Sequence, residues 1–166
     1  MILQDVLKEN LDVVFCGTAV GTASALKQSY YAGPGNQFYS ILAKTKLTPK
    51  RLMPENYREL LNYNIGLTDL VKGVSGNDNV LKTEHFDVQG FGEKIMKYQP
   101  KIVCFNGKAA AAALFNSRNT SAIDYGFLTQ TIGKTRLFVA PSTSGSARGF
   151  WDEKYWYLLK KELENN

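Results

Sequence analysis

The chain has 166 residues, 44% of them apolar, which suits one domain spanning 1–166 with a buried core and argues against disorder. Its formal net charge of +5, from 20 basic and 15 acidic side chains, admits a polyanionic partner without requiring one. Two cysteines, no Cys-x-x-Cys and a single histidine, His85, argue against a zinc site, and no apolar run is long enough to cross a bilayer.

The N-terminal stretch MILQDVLKENLDVV carries charges throughout and lacks the apolar core of a signal peptide, so a cytoplasmic protein is expected, with both thiols reduced. Residues 12–16 form a first buried strand. Cys16 there, and Cys104 in KIVCFNG, read as core thiols. The strand runs into GTAVGTASALKQSYYAGPGN, with glycines at 17, 21, 33 and 35, a loop too long for a simple connector. The segment NQFYSILAKTKL reads as a helix, with Asn36 as its N-cap and Phe38, Ile41 and Leu42 on its inner face. TPKRL and PENYRELLNY each place a proline at a first helical turn. IGLTDLV (65–71) is a short strand, and KGVSGNDN (72–79) a polar surface loop.

A helix over 84–98 stops before Pro100. KIVCF is the next buried strand, GKAAAAALF an alanine-rich helix, and TRLFVA a fourth strand leading into PSTSGSARG. The last helix, 151–164, is amphipathic, with Trp156, Leu159 and Leu163 inward. Short apolar strands alternating with helices predict an α/β fold, a three-layer α/β/α sandwich around a mostly parallel four-stranded sheet. The loops after the strands then share one edge of the sheet, where open α/β folds bind ligands. That edge collects 17–36, Asp69, Asn106 and 141–149.

Three stretches carry the chemistry. Gly17 and Gly21 match neither a P-loop nor a complete dinucleotide fingerprint. YYAGPGNQFY reads equally as an aromatic cluster over a helix start or as a flat pocket in which a ring stacks on a base and amides read its edge. PSTSGSARG reads as a flexible loop or as one entering a DNA groove, its hydroxyls and amides on phosphates and Arg148 on the backbone or the orphaned base.

The ordered set VVFCGTAVG, YYAGPGNQFY, IGLTDLV, PKIVCFNGKAA and APSTSGSARG, over residues 12–157, resembles the uracil-DNA glycosylase superfamily, most of all its mismatch-specific uracil and thymine branch. The resemblance implies that fold and an enzyme that flips a damaged or mispaired base out of DNA and hydrolyses its N-glycosidic bond without metal or cofactor. It implies Tyr31 as the base-stacking aromatic and Ser142, Thr143, Ser144, Gly145, Ser146, Ala147 and Arg148 as the DNA-contacting loop. The pocket would be formed by Gly17, Thr18, Ala19, Tyr31 and Phe38.

The sequence departs from the family where it matters. The mismatch-specific branch reads Gly-Ile-Asn-Pro-Gly in the first motif and positions water with the asparagine; here the residue is Ala19, whose methyl cannot. Two groups are left to replace it: Asp69, ending the strand IGLTD, and Asn36, beside the pocket. Asn106 ends another strand and reads as a structural turn. The small Ser146 and Ala147 predict a weak wedge and ready action on poorly paired or single-stranded bases. The expectation is a monomeric, monofunctional DNA glycosylase of a prokaryotic cytoplasm, working at the nucleoid on uracil and other deaminated bases. A catalytically inactive nucleic-acid binder on the same fold and a small-molecule nucleotide-binding α/β protein are the alternatives.

Overall fold

A computed structural model of the chain describes residues 2–76 and 81–165. Part of the surface loop read at 72–79 therefore lies outside the described residues. Five strands form one sheet: β1 (Val13–Ala19), β2 (Ile65–Val71), β3 (Ile102–Asn106), β4 (Gly126–Ile132) and β5 (Thr135–Ala140). Their order is β2-β1-β3-β5-β4, parallel throughout except for β4, which pairs antiparallel with β5 at the edge.

Side chains alternate across the strands, so a strand covered on both faces must be apolar at every position. Val13 and Phe15 of β1 join Ile65, Leu67, Ile102, Cys104 and Phe138 on one face. Val14 and Cys16 join Leu70, Val103, Phe105, Leu137 and Val139 on the other. The first face is covered by α2 (Phe38–Lys44), the 3-10 stretch Pro54–Tyr63 and α5 (Lys154–Glu164). The second is covered by α3 (Val88–Tyr98) and α4 (Lys108–Leu114). This is the three-layer sandwich expected, with a fifth strand added.

The differences have local causes. The strand missed, β4, has only Gly126 fully buried and exposes Thr129, Gln130 and Thr131, so it lacks the apolar run of its neighbours. The long first loop contains a short helix, α1 (Thr22–Lys27), packed by one turn only. TPKRL stays non-helical, and the helix read at 84–98 begins at Val88, where the Asp87 carboxylate accepts from the Gly90 N–H at 2.9 Å. α2 starts two residues beyond Asn36, so that Gln37 and not the expected Asn36 is its N-cap, and Phe38, Ile41 and Leu42 are all buried as expected.

Candidate active site

The topology determines where a cleft opens. From β1 the chain crosses the first face to reach β2 on one side. From β3 it crosses the second face, through α4, and moves to the opposite side. The loops leaving β1 and β3 therefore diverge at the carboxyl edge of the sheet, and a crevice forms between them. A cavity of about 950 Å³ occupies it, at the upper end of the size range of small-molecule sites. Its walls are 17–24 after β1, 30–36, Asp69 at the end of β2, 106–109 after β3, and 142–147.

Gly17 pairs in register with Asp69 on the neighbouring strand, so both point to the same edge. A Cβ at residue 17 would lie 2.9 Å from Asp69 Oδ1 and 3.7 Å from the Tyr31 hydroxyl, so glycine is what lets these groups approach. Asp69 is only 4% exposed. Burial raises its pKa from the ordinary 3.8 to about 6; Lys72 opposes the rise and Asp5 adds to it. Its Oδ2 sits 3.6 Å from Lys72 Nζ, beyond hydrogen-bond length, and is buried without a hydrogen-bond partner. The Tyr31 hydroxyl is buried as well, near the Asn106 side chain but with no hydrogen bond of good geometry. Burial, and next the Asp69 charge, hold that phenol neutral, with a pKa far above its ordinary value. Two orphaned polar atoms in one cavity wall are expensive unless a ligand or water completes them.

Tyr31 is fixed by its surroundings. Its backbone is left-handed, φ 54°, a strained setting for an aromatic residue. Its ring stacks on Phe38 with centroids 4.1 Å apart and planes at 29°. Phe38 is itself fully buried and does not line the cavity. Phe38, expected in the pocket, belongs instead to the core behind Tyr31, where the inward face of α2 carries it. Asn36 lines the cavity, and its Oδ1 accepts from the Phe38 N–H at 3.0 Å, which fixes the side-chain amide as a local cap. Thr18 and Ala19 lie in the cavity wall.

The loop after β5 divides into two parts. Thr143 is buried, and its amide and hydroxyl exchange hydrogen bonds with Asn106 at 2.9 and 3.0 Å. Its carbonyl accepts from the Gln37 N–H at 2.9 Å. Thr143 thus ties this loop to β3 and to the start of α2 while lining the cavity. Asn106 ends β3 and, besides holding Thr143, lines the cavity. Ser144 and Ser146 bond each other through their hydroxyls at 2.9 Å. Ser142, Ser144, Gly145, Ser146 and Ala147 line the cavity, whereas Arg148 lies outside the lining, exposed, with its guanidinium packed beside Gly35.

Three residues of the rim escaped the sequence reading. Phe150, at the end of the 3-10 turn Gly145–Phe150, lines the cavity mouth and is 76% exposed. Lys108 opens α4 in the same wall, its ammonium 4.5 Å from the centroid of the Tyr125 ring. The apolar Phe150 beside an arginine-bearing loop was the legible signal for the first; nothing local marked Lys108 or Tyr125. Among the described residues no three His, Cys, Asp or Glu side chains converge as metal ligands do, and no helix is long and apolar enough to cross a membrane.

Sheet order and switch-point cleft define an open α/β protein with its main cavity at the carboxyl edge of the strands, walled in part by a buried carboxylate. Residues 4–161 match the family model of the uracil DNA glycosylase superfamily, and the chain belongs to that family. A solution NMR structure from Methanosarcina acetivorans, titled a "putative Uracil DNA glycosylase", is similar over 98% of this chain and 96% of its own length, with 26% identity and a TM-score of 0.68.

Proposed function

We propose that this chain, acting as a single domain, is a monofunctional DNA glycosylase that hydrolyses the N-glycosidic bond of uracil, and of other deaminated or mispaired bases, flipped out of DNA. The observation that carries the reading is the convergence of a buried Asp69 carboxylate and a buried Tyr31 hydroxyl on Gly17, in a cavity large enough for a nucleotide.

The chemistry follows from these groups. Asp69 as carboxylate orients a water on the sugar and takes one of its protons. The water oxygen bonds to C1′ as the C1′–N bond breaks, and the electron pair leaves with the base, which is protonated from solvent. The same carboxylate offsets the positive charge developing on the sugar. Tyr31, backed by Phe38, gives the base a flat support, and its neutral hydroxyl donates a hydrogen bond. Asn36 uses its amide N–H on the base, its carbonyl being engaged by Phe38. No lysine is needed as a nucleophile, so strand cleavage is not expected.

On the DNA side, Arg148 and Lys108 meet phosphates, and Ser142, Ser144, Gly145, Ser146 and Ala147 form the lip over which the nucleotide turns. Phe150 fills the space left in the stack, a role the small Ser146 and Ala147 cannot perform. Duplex DNA is then a substrate in its own right, not only weakly paired or single strands.

The test is single-turnover base release from oligonucleotides carrying uracil, hypoxanthine, xanthine or a thymine mismatch, read as alkali-labile abasic sites. Release without direct strand scission is expected. No release from any of the four refutes the enzyme and leaves a binding protein, the reading that Ala19 in the first motif favours.

A further inference from the structure

Asp69 stands in front of a network drawn from three separate stretches of the chain, around Asp5, Lys72 and Lys94. Asp5 lies in the N-terminal segment, which Val6 fastens to Leu67 of β2 by backbone hydrogen bonds of 2.9 Å in both directions. That placement puts the Asp5 carboxylate beside Lys72, 3.0 Å away, and beside Lys94 of α3. The Thr68 hydroxyl donates to Asp5 at 2.8 Å and accepts from Lys94 at 3.3 Å. Lys72 also donates to the Tyr30 hydroxyl at 2.9 Å, and Tyr30 in turn donates to the Gln4 carbonyl at 3.1 Å. Lys72 is therefore held on three sides, by Asp5, Tyr30 and Asp69.

We propose that Lys72, fixed by Asp5 and Tyr30, is the positioning residue that holds Asp69 as a carboxylate turned toward Gly17. The inference rests on the glycosylase reading for its consequence in catalysis, and on the geometry alone for its effect on Asp69. A carboxylate this deep in the fold is unfavourable unless a counter-charge is supplied. The charged and titratable groups facing it are Lys72 after β2, Lys94 on α3, Asp5 before β1, Cys16 on β1, and Tyr30 and Tyr31 after α1. The cysteine and both tyrosines are held neutral by burial, so the balance lies between two ammoniums and Asp5. Lys72 alone of the ammoniums forms an ion pair with Asp69 itself. The Asp5 charge acts against Asp69 but fixes Lys72 in place, and Lys94 partly neutralises it from the far side.

The test uses two substitutions of opposite sign and two readouts. The first readout is the carboxyl carbon resonance of Asp69, titrated by NMR, which needs no substrate. The second is the acid limb of the single-turnover rate against pH. Lys72→Met is expected to move both midpoints up by about one to two units, so that the rate at pH 6 falls about tenfold or more and much of the loss is recovered at pH 8.5. Lys72→Arg restores both. Asp5→Asn keeps an amide oxygen to accept from Lys72 and Thr68 and removes only the like charge, so it moves both midpoints down, a direction that general damage to the fold would not produce, and it serves if Lys72→Met does not fold. An Asp69 titration unchanged in Lys72→Met, or raised in Asp5→Asn, overturns the proposal. If the resonance shifts as expected while the wild-type chain releases no base, the network stands and the glycosylase reading falls.

Discussion

Replacing Asp69 by asparagine sets stability against function, and both effects have magnitudes. In the folded chain the Asp69 pKa is about 6, against 3.8 in an unconstrained chain. A folded-state pKa raised in this way means that the protonated acid is the form the fold favours. The stability associated with Asp69 is fully present below pH 3.8 and is lost as pH rises through 6. Two units correspond to about 3 kcal/mol at pH 7.5, since one unit is about 1.4 kcal/mol. Asparagine keeps the shape and has no charge to bury, while Lys72 retains Asp5 at 3.0 Å. Asp69→Asn is thus more stable than the wild type by up to about 3 kcal/mol at pH 7.5, or about 6–12 °C in Tm for a chain of this length. The advantage shrinks toward zero at pH 4. Base release falls by about 10²–10⁴ in the same variant, the scale of a lost general base. Paired thermal melts at pH 4 and 7.5, with single-turnover assays at pH 7.5, measure both. An Asp69→Asn chain that is no more stable at pH 7.5, or equally active, refutes the reasoning.

Other substitutions probe the rest of the site. Gly17→Ala sets a methyl against Asp69 Oδ1; it should cost about 1–3 kcal/mol in urea melts and lower base release about 100-fold through displacement of the carboxylate. Phe150→Ala should slow release from duplex DNA about tenfold while leaving single-stranded substrate unchanged, and equal losses on both would remove its role as a wedge. Lys108→Ala should reduce the slope of log affinity against log salt by about 0.9, as measured by fluorescence anisotropy at several salt concentrations, if it meets one phosphate.

What the sequence disclosed depended on range. The four parallel strands were legible because burial on both faces makes them continuous apolar runs, as in KIVCF and TRLFVA. The edge strand β4 was not, since GFLTQTI presents Thr129 to Thr131 to solvent, although Gly133 at the hairpin, φ 57°, was a turn signal. Asp69 could be placed at the ligand edge because it ends a strand, and register does the rest. Its electrostatic partner Asp5 could not, because 64 residues and a non-local backbone bridge separate the two. Phe38 shows the ambiguity of an aromatic beside a pocket motif: its spacing to Ile41 and Leu42 already indicated the core face of a helix. Thr143 looked like its serine neighbours and is distinguished from them only by a contact with Asn106, 37 residues away.

The role proposed for Asp69, activation of water, predicts a particular pH dependence of single-turnover base release. The wild-type rate on a uracil-containing duplex is expected to rise about tenfold per pH unit up to about pH 6 and to level off above it, following the Asp69 carboxylate, while Asp69→Asn is slow and flat. A wild-type profile without that bend, or an Asp69→Asn profile that retains it at full rate, would show that Asp69 is not the group that activates water.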